Sequence, residues 1–261
     1  MLRPADEKTM SEYIVTEKHG KVLLIRMVYE KTLNCCSPEM LDELRSLIRD
    51  FTRNPEYAAL VLTGAGRAFC TGADLNEFTN LAPEACVDYA ADFEDDIFHQ
   101  LACCRKPTVA AVNGYAIGGG FELALSCDFR IGHEKSSFSS PEYDFGWIPG
   151  WGGVRRLAAI VGPNKAKEIF FLKKKIRGAE AKELGILNEL VEDPAELEAK
   201  AIEMATALAE LNPLTVAYTK TVLDEFNVKP YDTLLQGLTN GITSKSPYAR
   251  AKVEAFFNRK K

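Results

Sequence analysis

The chain has no basic excess: 37 acidic residues against 32 lysines and arginines leave a net charge of −5. This argues against a nucleic acid or an anionic membrane surface as the main partner, because both need a basic face. Two local clusters, Lys173–Lys175 and Arg259–Lys261, leave anion contacts open, although solvated helix ends are the better reading of each. No apolar run is long enough to cross a bilayer. The stretch Met1 to Ser11 is polar and lacks the apolar centre of a signal peptide. No peroxisomal tripeptide closes the sequence, so the default expectation is a cytoplasmic protein. The 7 cysteines, at positions 35, 36, 70, 86, 103, 104 and 127, are odd in number and include two adjacent pairs. They show neither a CxxC nor a Cys/His spacing, which argues against zinc and for free thiols in a reducing compartment. Internal repeats, low-complexity segments and long linkers are also missing.

What is present is an ordinary globular composition, 46% hydrophobic and 26% charged over 261 residues, enough to bury a sizeable core. Short apolar strands are expected over 12–17 and 21–28, with a turn at His19-Gly20. A helix starts at Ser37 as N-cap and Pro38 in its first position, and Leu41, Leu44, Leu47, Ile48 and Phe51 carry it to about 53. Ala58–Thr63 reads as a buried strand and 64–73 as a glycine-bearing loop. An amphipathic segment spans about 84–104, with Val87, Ala90, Ile97 and Leu101 on one face. Strand, helix and strand follow at Pro107–Val112, from the triple glycine to about Ser126, and at Phe129–Gly132. Strands separated by helices predict a parallel, helix-covered sheet. After about 153 the patterns are helical (162–172, 179–184, 194–210, 213–225, 231–244 and 247–258), with almost no strand signal. The expected division is an α/β core over 1–190 and a helical region over 191–261.

Three segments carry candidate chemistry. In Gly64-Ala65-Gly66-Arg67-Ala68-Phe69-Cys70-Thr71-Gly72-Ala73-Asp74-Leu75 the third glycine of a dinucleotide fingerprint is replaced by Phe69, and no helix opens at Gly66. A turn at Gly72-Ala73 that aims backbone amides at an oxygen is the better reading, since glycine permits unusual dihedrals and close approach. Gly118-Gly119-Gly120 opens a helix, where orphan N–H groups and the positive dipole end gather. No Lys-Ser/Thr follows, so it is not a phosphate loop, and Glu122 one turn later would repel phosphate. A carbonyl gaining partial negative charge fits it, as does simple tight packing of helix on strand. The third segment, Pro141-Glu142 through Pro149-Gly150-Trp151-Gly152-Gly153, holds a second acid in apolar and glycine-rich surroundings, although alone it fits a surface loop equally. Carboxylates in such settings lose hydration and rise in pKa. Two of them on one pocket can hold a water and move its proton.

Taken in order, Ala68-Phe69-Cys70-Thr71-Gly72-Ala73-Asp74-Leu75, Pro107 through Gly120, and Phe138-Ser139-Ser140-Pro141-Glu142 resemble the enoyl-CoA hydratase/isomerase (crotonase) superfamily over nearly the whole chain. The resemblance implies an α/β fold, a spiral of ββα units with a helical C-terminal trimerisation region, assembled as a homo-hexamer from two trimers. It implies an acyl-CoA substrate, no metal or redox cofactor (coenzyme A being part of the substrate), and neither a nucleic-acid nor a membrane partner. It places an oxyanion hole on the amides of Ala73 and Gly119 and a water-placing amide on Gly150. Glu122 and Glu142 fill the two acid positions of the hydratases, Glu142 exchanging the α-proton and Glu122 polarising the water. An isomerase of the mitochondrial Δ3,Δ2 type lacks the first acid, so the pair favours hydration. The isomerase, a specialised hydratase such as one for crotonobetainyl-CoA, and a non-catalytic RNA-binding member remain the alternatives. His99 and His133 fall outside the expected catalytic positions.

Substrate contacts are expected from Gly72, Asp74 and Leu75, from Arg67, Ala68 and Phe69 near the adenine end, and from Phe256 with Lys260 of a neighbouring subunit. Trp147 and Trp151 stand where many relatives have smaller residues. They would trim the acyl pocket for short or compact groups, or shape it for an aromatic or functionalised chain; for Trp151, packing at a subunit contact is equally open. Tyr143 and Phe145 bear on the same choice.

Overall fold

The computed structural model describes residues 8–225 and 246–258. The helix expected over 231–244 and the predicted contact Lys260 lie outside the described residues. The strands in chain order are β1 (Lys8–Met10), β2 (Ile14–His19), β3 (Val22–Met27), β4 (Ala59–Gly64), β5 (Ala68–Cys70), β6 (Thr108–Val112), β7 (Tyr115–Ile117), β8 (Phe129–His133), β9 (Ser137–Ser139), β10 (Ile176–Arg177) and β11 (Glu189–Val191). A seven-stranded sheet has the order β1-β2-β3-β4-β6-β8-β11, and a smaller one the order β10-β9-β7-β5. From β3 onward the large sheet is parallel.

The strands are shared out in a regular way. β4, β6 and β8 enter the large sheet, and the strand that follows each (β5, β7 and β9) enters the small one. Helices then lead to the next pair, which is the ββα spiral expected from the resemblance. The helices are α1 (Pro38–Arg53), α2 (Leu75–Asn80), α3 (Pro83–Phe93), α4 (Gln100–Cys103), α5 (Gly119–Leu125), α6 (Gly153–Val161), α7 (Pro163–Phe171), α8 (Gly178–Glu183), α9 (Leu197–Ala209), α10 (Pro213–Glu225) and α11 (Pro247–Asn258).

Local chemistry explains the firmest elements. Ser37 Oγ accepts from the Met40 amide at 3.3 Å and Pro38 opens α1, which buries Met40, Leu41, Leu44, Ile48 and Phe51. On the large sheet, period-two alternation divides the apolar residues between two layers. Leu23, Ile25, Leu60, Leu62, Ala110 and Val112 face the main core with α1. Val22, Leu24, Ala59, Val61, Val109 and Ala111 face Leu197, Ala201 and Ala205 of α9.

Several expectations need correction. The supposed loop 64–73 contains β5, and the carboxyl-terminal half holds β10 and β11, strands of 2 and 3 residues that are too short to show a period. The segment expected as one amphipathic helix over 84–104 is interrupted by a π-helical turn at Glu94–His99 between α3 and α4. No disulfide joins the cysteines, and only Cys103 is not buried. Among the described residues, no helix is long and apolar enough to cross a membrane.

Candidate active site

After β5 the chain turns through Gly72 at φ +81°. A Cβ there would lie 2.7 Å from the Gly119 amide nitrogen, so only glycine lets this turn abut the start of α5. Cys36 fixes its far side: the Cys36 amide donates to the Gly72 carbonyl at 2.8 Å, and the Asp74 amide to the Cys36 carbonyl at 3.4 Å. The Ala73 amide lies between these two bonds and, like that of Gly119, has no hydrogen-bond partner among the described residues. Asp74 caps α2 by accepting from the Asn76 amide at 2.8 Å. The turn thus presents one amide from a strand end beside another at a helix N-terminus, an arrangement suited to an oxygen gaining negative charge.

Glu122 lies one turn into α5 and is 3% exposed. Its Oε1 accepts from the amides of Trp151 and Gly153, both at 2.8 Å. A Cβ on Gly153 would lie 2.6 Å from Glu122 Cγ. Glu142, half-buried in the 3₁₀ turn Pro141–Asp144, accepts from the Ser140 hydroxyl through Oε2 at 2.7 Å. Its other oxygen would be 2.8 Å from a Cβ on Gly118. Both carboxyl groups are therefore seated against glycines. Burial pushes the Glu122 pKa up and the nearby Glu142 adds to this, while the two backbone amides pull it back. Burial also raises Glu142, opposed by the Ser140 hydroxyl.

Both acids line one cavity of about 650 Å³, together with Gly72, Ala73, Asp74, Leu75, Gly119, Gly150, Trp147, Trp151 and Phe256. Arg67, Ala68 and Phe69 are not brought to it. Arg67 is an exposed loop residue, and Ala68 and Phe69 are buried in β5. Phe256 reaches the cavity of its own chain from α11, where the sequence reading drew it from a neighbouring subunit; there it packs edge-on against Phe145 at 5.8 Å. Trp151 is 4% exposed, stacks on Phe98 at 4.8 Å and covers Gly119, whose Cβ would lie 2.2 Å from the indole. Tyr143 lies against Phe170.

The lining also includes residues that sequence reasoning missed: Phe78, Tyr89, Cys35 and the exposed Lys31 and Lys175. Phe78 and Tyr89 come from α2 and α3, and nothing in their local pattern separates a cavity wall from a core. Trp147 packs edge-on against Phe78 at 4.9 Å. The Trp147 indole N–H and the Tyr89 hydroxyl are buried without a hydrogen-bond partner among the described residues. His99 and His133 are not part of the lining. Among the described residues, no group of three or more His, Cys, Asp or Glu side chains is set to hold a metal ion.

The sequence profile of the enoyl-CoA hydratase/isomerase family matches residues 17–243. The chain belongs to that family. It is 38% identical over 222 residues to a protein of Pongo abelii named enoyl-CoA hydratase, mitochondrial, covering 84% of this chain and 75% of the relative. It is 34% identical over 223 residues to the short-chain-enoyl-CoA hydratase of Clostridium acetobutylicum, with 85% of each covered. A solved enoyl-CoA hydratase/isomerase from Mycobacterium paratuberculosis superposes with a TM-score of 0.85 at 28% identity, over 94% of this chain and 99% of that one. The span that the enoyl-CoA hydratase/isomerase profile matches contains both glutamates and both candidate oxyanion amides. Phe256 lies beyond it, so the aromatic contribution of α11 is read from this fold alone.

Proposed function

We propose that this protein is an enoyl-CoA hydratase, adding water across the conjugated double bond of a 2-enoyl thioester. The observation that carries the reading is the pair of carboxyl groups, Glu122 and Glu142, lining the same cavity as the unpartnered amides of Ala73 and Gly119. Water attacks the β-carbon as Glu122 takes its proton, and the C–O bond forms as the π electrons move toward the thioester carbonyl. The amides of Ala73 and Gly119 bind the resulting enolate oxygen more tightly than the ground-state carbonyl, and each such donor is worth about 10²–10³ in rate. Glu142 gives its proton to the α-carbon as the enolate collapses. The Gly150 amide helps to place the water. Glu142 raises the Glu122 carboxyl, and two such acids favour a state with one proton between them; hydration starts from the form in which that proton sits on Glu142 and Glu122 is ionised.

Lys31 and Lys175, exposed on the cavity's lining, suit the phosphates of coenzyme A. Trp151 over Gly119 shortens the acyl end and favours compact groups. A second reading of the substrate rests on the unpartnered Trp147 N–H and Tyr89 hydroxyl: buried donors without partners cost about 1–3 kcal/mol each, and an acyl chain carrying an oxygen would relieve them. The working form is taken to be a hexamer of two trimers.

The test is incubation with crotonyl-CoA, following loss of the conjugated-thioester absorbance and the product's mass. Rapid loss with the gain of one water is expected. Failure with crotonyl-CoA, together with turnover of an oxygen-bearing 2-enoyl ester, favours the second reading. Failure with both, together with conversion of a 3-enoyl ester to the 2-enoyl isomer, overturns the assignment.

A further inference from the structure

Behind Glu122 lies a buried ion pair that the chemistry above leaves unused. Glu94 is the first residue of the π-helical turn and is fully buried. Arg156, on α6, donates to it through Nη2 at 2.9 Å and Nη1 at 3.4 Å. The same Nη1 donates to the Trp151 carbonyl at 2.6 Å. The amide of Trp151, on the other side of its α-carbon, is one of the two that hold Glu122 Oε1. The link is tight. Gly152 between them adopts φ +80°, and a Cβ there would lie 2.3 Å from Arg156 Nη1 and 2.7 Å from Glu94 Oε1. A π-helical turn is rare and tends to occur at functional sites; here it brings a carboxylate inward from an acidic run.

We propose that Glu94 and Arg156 are positioning residues for Glu122. Arg156 clamps the Trp151 carbonyl so that the Trp151 and Gly153 amides point at one oxygen of Glu122, leaving the other for water. Glu94 cancels the guanidinium charge, so that Glu122 keeps the basicity that its burial confers. The inference rests on the reading that Glu122 acts on the water.

The charged and titratable groups around Glu122 come from several elements: Glu142 from the 3₁₀ turn, Glu94 from the π-helical turn and the Cys36 thiol from the segment before α1, with Arg156 of α6 joined to Glu122 through Trp151. Arg155, also on α6, reaches Glu94 at 3.6 Å. Removing one member of the ion pair changes the net charge beside Glu122 without touching Glu122 itself. In Glu94→Gln the guanidinium stands uncompensated and favours the ionised Glu122. In Arg156→Met the Glu94 carboxylate stands less compensated and disfavours it.

The test is the pH dependence of kcat and KM for crotonyl-CoA in the wild type, Glu94→Gln, Arg156→Met and Arg156→Lys. Turnover at neutral pH is expected to fall about 10–100-fold in Arg156→Met, with KM little changed, because a misplaced catalytic group costs orientation more than binding. The acid limb of kcat is expected to move to lower pH in Glu94→Gln and to higher pH in Arg156→Met, each by about one unit. Arg156→Lys keeps the charge but loses the two-nitrogen fork that grips Glu94 and the Trp151 carbonyl together, so its limb stays near that of the wild type while part of the loss remains. Limbs that do not move, or that move the same way in both charge variants, overturn the inference and leave the pair a packing feature. If Arg156→Met does not fold, Glu94→Gln and Arg156→Lys decide the matter through the same limb. Glu122→Gln separates the two failures. Near-normal hydration in that variant would sink the role of Glu122 itself, whereas its loss alongside unmoved limbs would sink only the clamp.

Discussion

Glu142 and Glu122 differ in how they are held, and the difference predicts different phenotypes. Glu142 is fixed by one hydroxyl, from Ser140, and is proposed to carry the α-proton. Glu142→Gln is therefore expected to lower turnover by about 10²–10⁴ while leaving binding of a saturated acyl-CoA largely intact. Glu122→Gln is expected to suppress hydration more than exchange of the α-proton, measured by deuterium incorporation from heavy water into a saturated acyl-CoA. Equal loss of both would argue against the division of roles. A stability prediction accompanies this. The folded-state pKa of Glu122 is raised, so between its unfolded and folded values the native protein holds a proton that the unfolded chain has released. Stability then falls as pH rises through that window. Glutamine cannot ionise, yet its side-chain carbonyl still accepts from the Trp151 and Gly153 amides. Glu122→Gln should therefore raise Tm at pH 8 and give little or no gain near pH 4, where the unfolded carboxyl is itself largely protonated. A Tm gain independent of pH would contradict this. At this scale the sequence made the two acids legible, because each stands among glycines and apolar residues. Glu94 was not legible: in the run Glu94-Asp95-Asp96 nothing marks which acid points inward.

At the scale of elements, the start of α5 works through contacts no wider than a hydrogen atom. Gly119→Ala would drive a methyl into the Trp151 ring and displace the amide proposed to bind the enolate. We expect turnover to drop by about 10²–10³, the worth of one oxyanion donor. Trp151→Ala should relieve the clash, so the double variant is expected to regain part of the lost stability, as a double-mutant cycle would show. Trp151→Ala alone should shift preference toward longer acyl chains; an unchanged chain-length profile would remove the indole from the acyl wall. Element by element, legibility followed length. The 16-residue α1 carries a cap, an N1 proline and four helical turns of pattern, and its bounds were readable. β5, β7 and β9 have 3 residues each, so the whole smaller sheet escaped a reading based on periodicity. Its strands are held by their pairing with one another, which no single segment encodes.

For the whole molecule, α10 bears on assembly. Leu214, Tyr218 and Val222 recur at helical spacing and are 64%, 61% and 55% exposed in the single chain. Such an apolar stripe favours burial against another subunit. Sedimentation should show a species larger than the monomer, and Leu214→Glu with Val222→Glu should shift it toward smaller forms; an unchanged distribution would exclude α10 from the contact. The α/β class and the ββα spiral were reachable from the resemblance. The placing of Phe256 in its own chain's cavity was not, because it depends on how α11 packs.

The thiols give this protein an internal clock. Cys36, Cys70 and Cys86 have no exposed surface and Cys127 is 3% exposed, so a thiol-directed reagent does not reach them in the native state; at Cys127 burial also pushes the thiol up to about 12 and leaves almost no thiolate. Cys103 is the one thiol that is not buried, and Cys35, 9% exposed, borders the cavity. Labelling under native conditions should therefore proceed in two phases, fast additions at Cys103 and, through the cavity, at Cys35, and then additions paced by opening of the fold. Mass spectrometry of the second phase would report how often each layer opens, and a substrate analogue filling the cavity should slow the addition at Cys35.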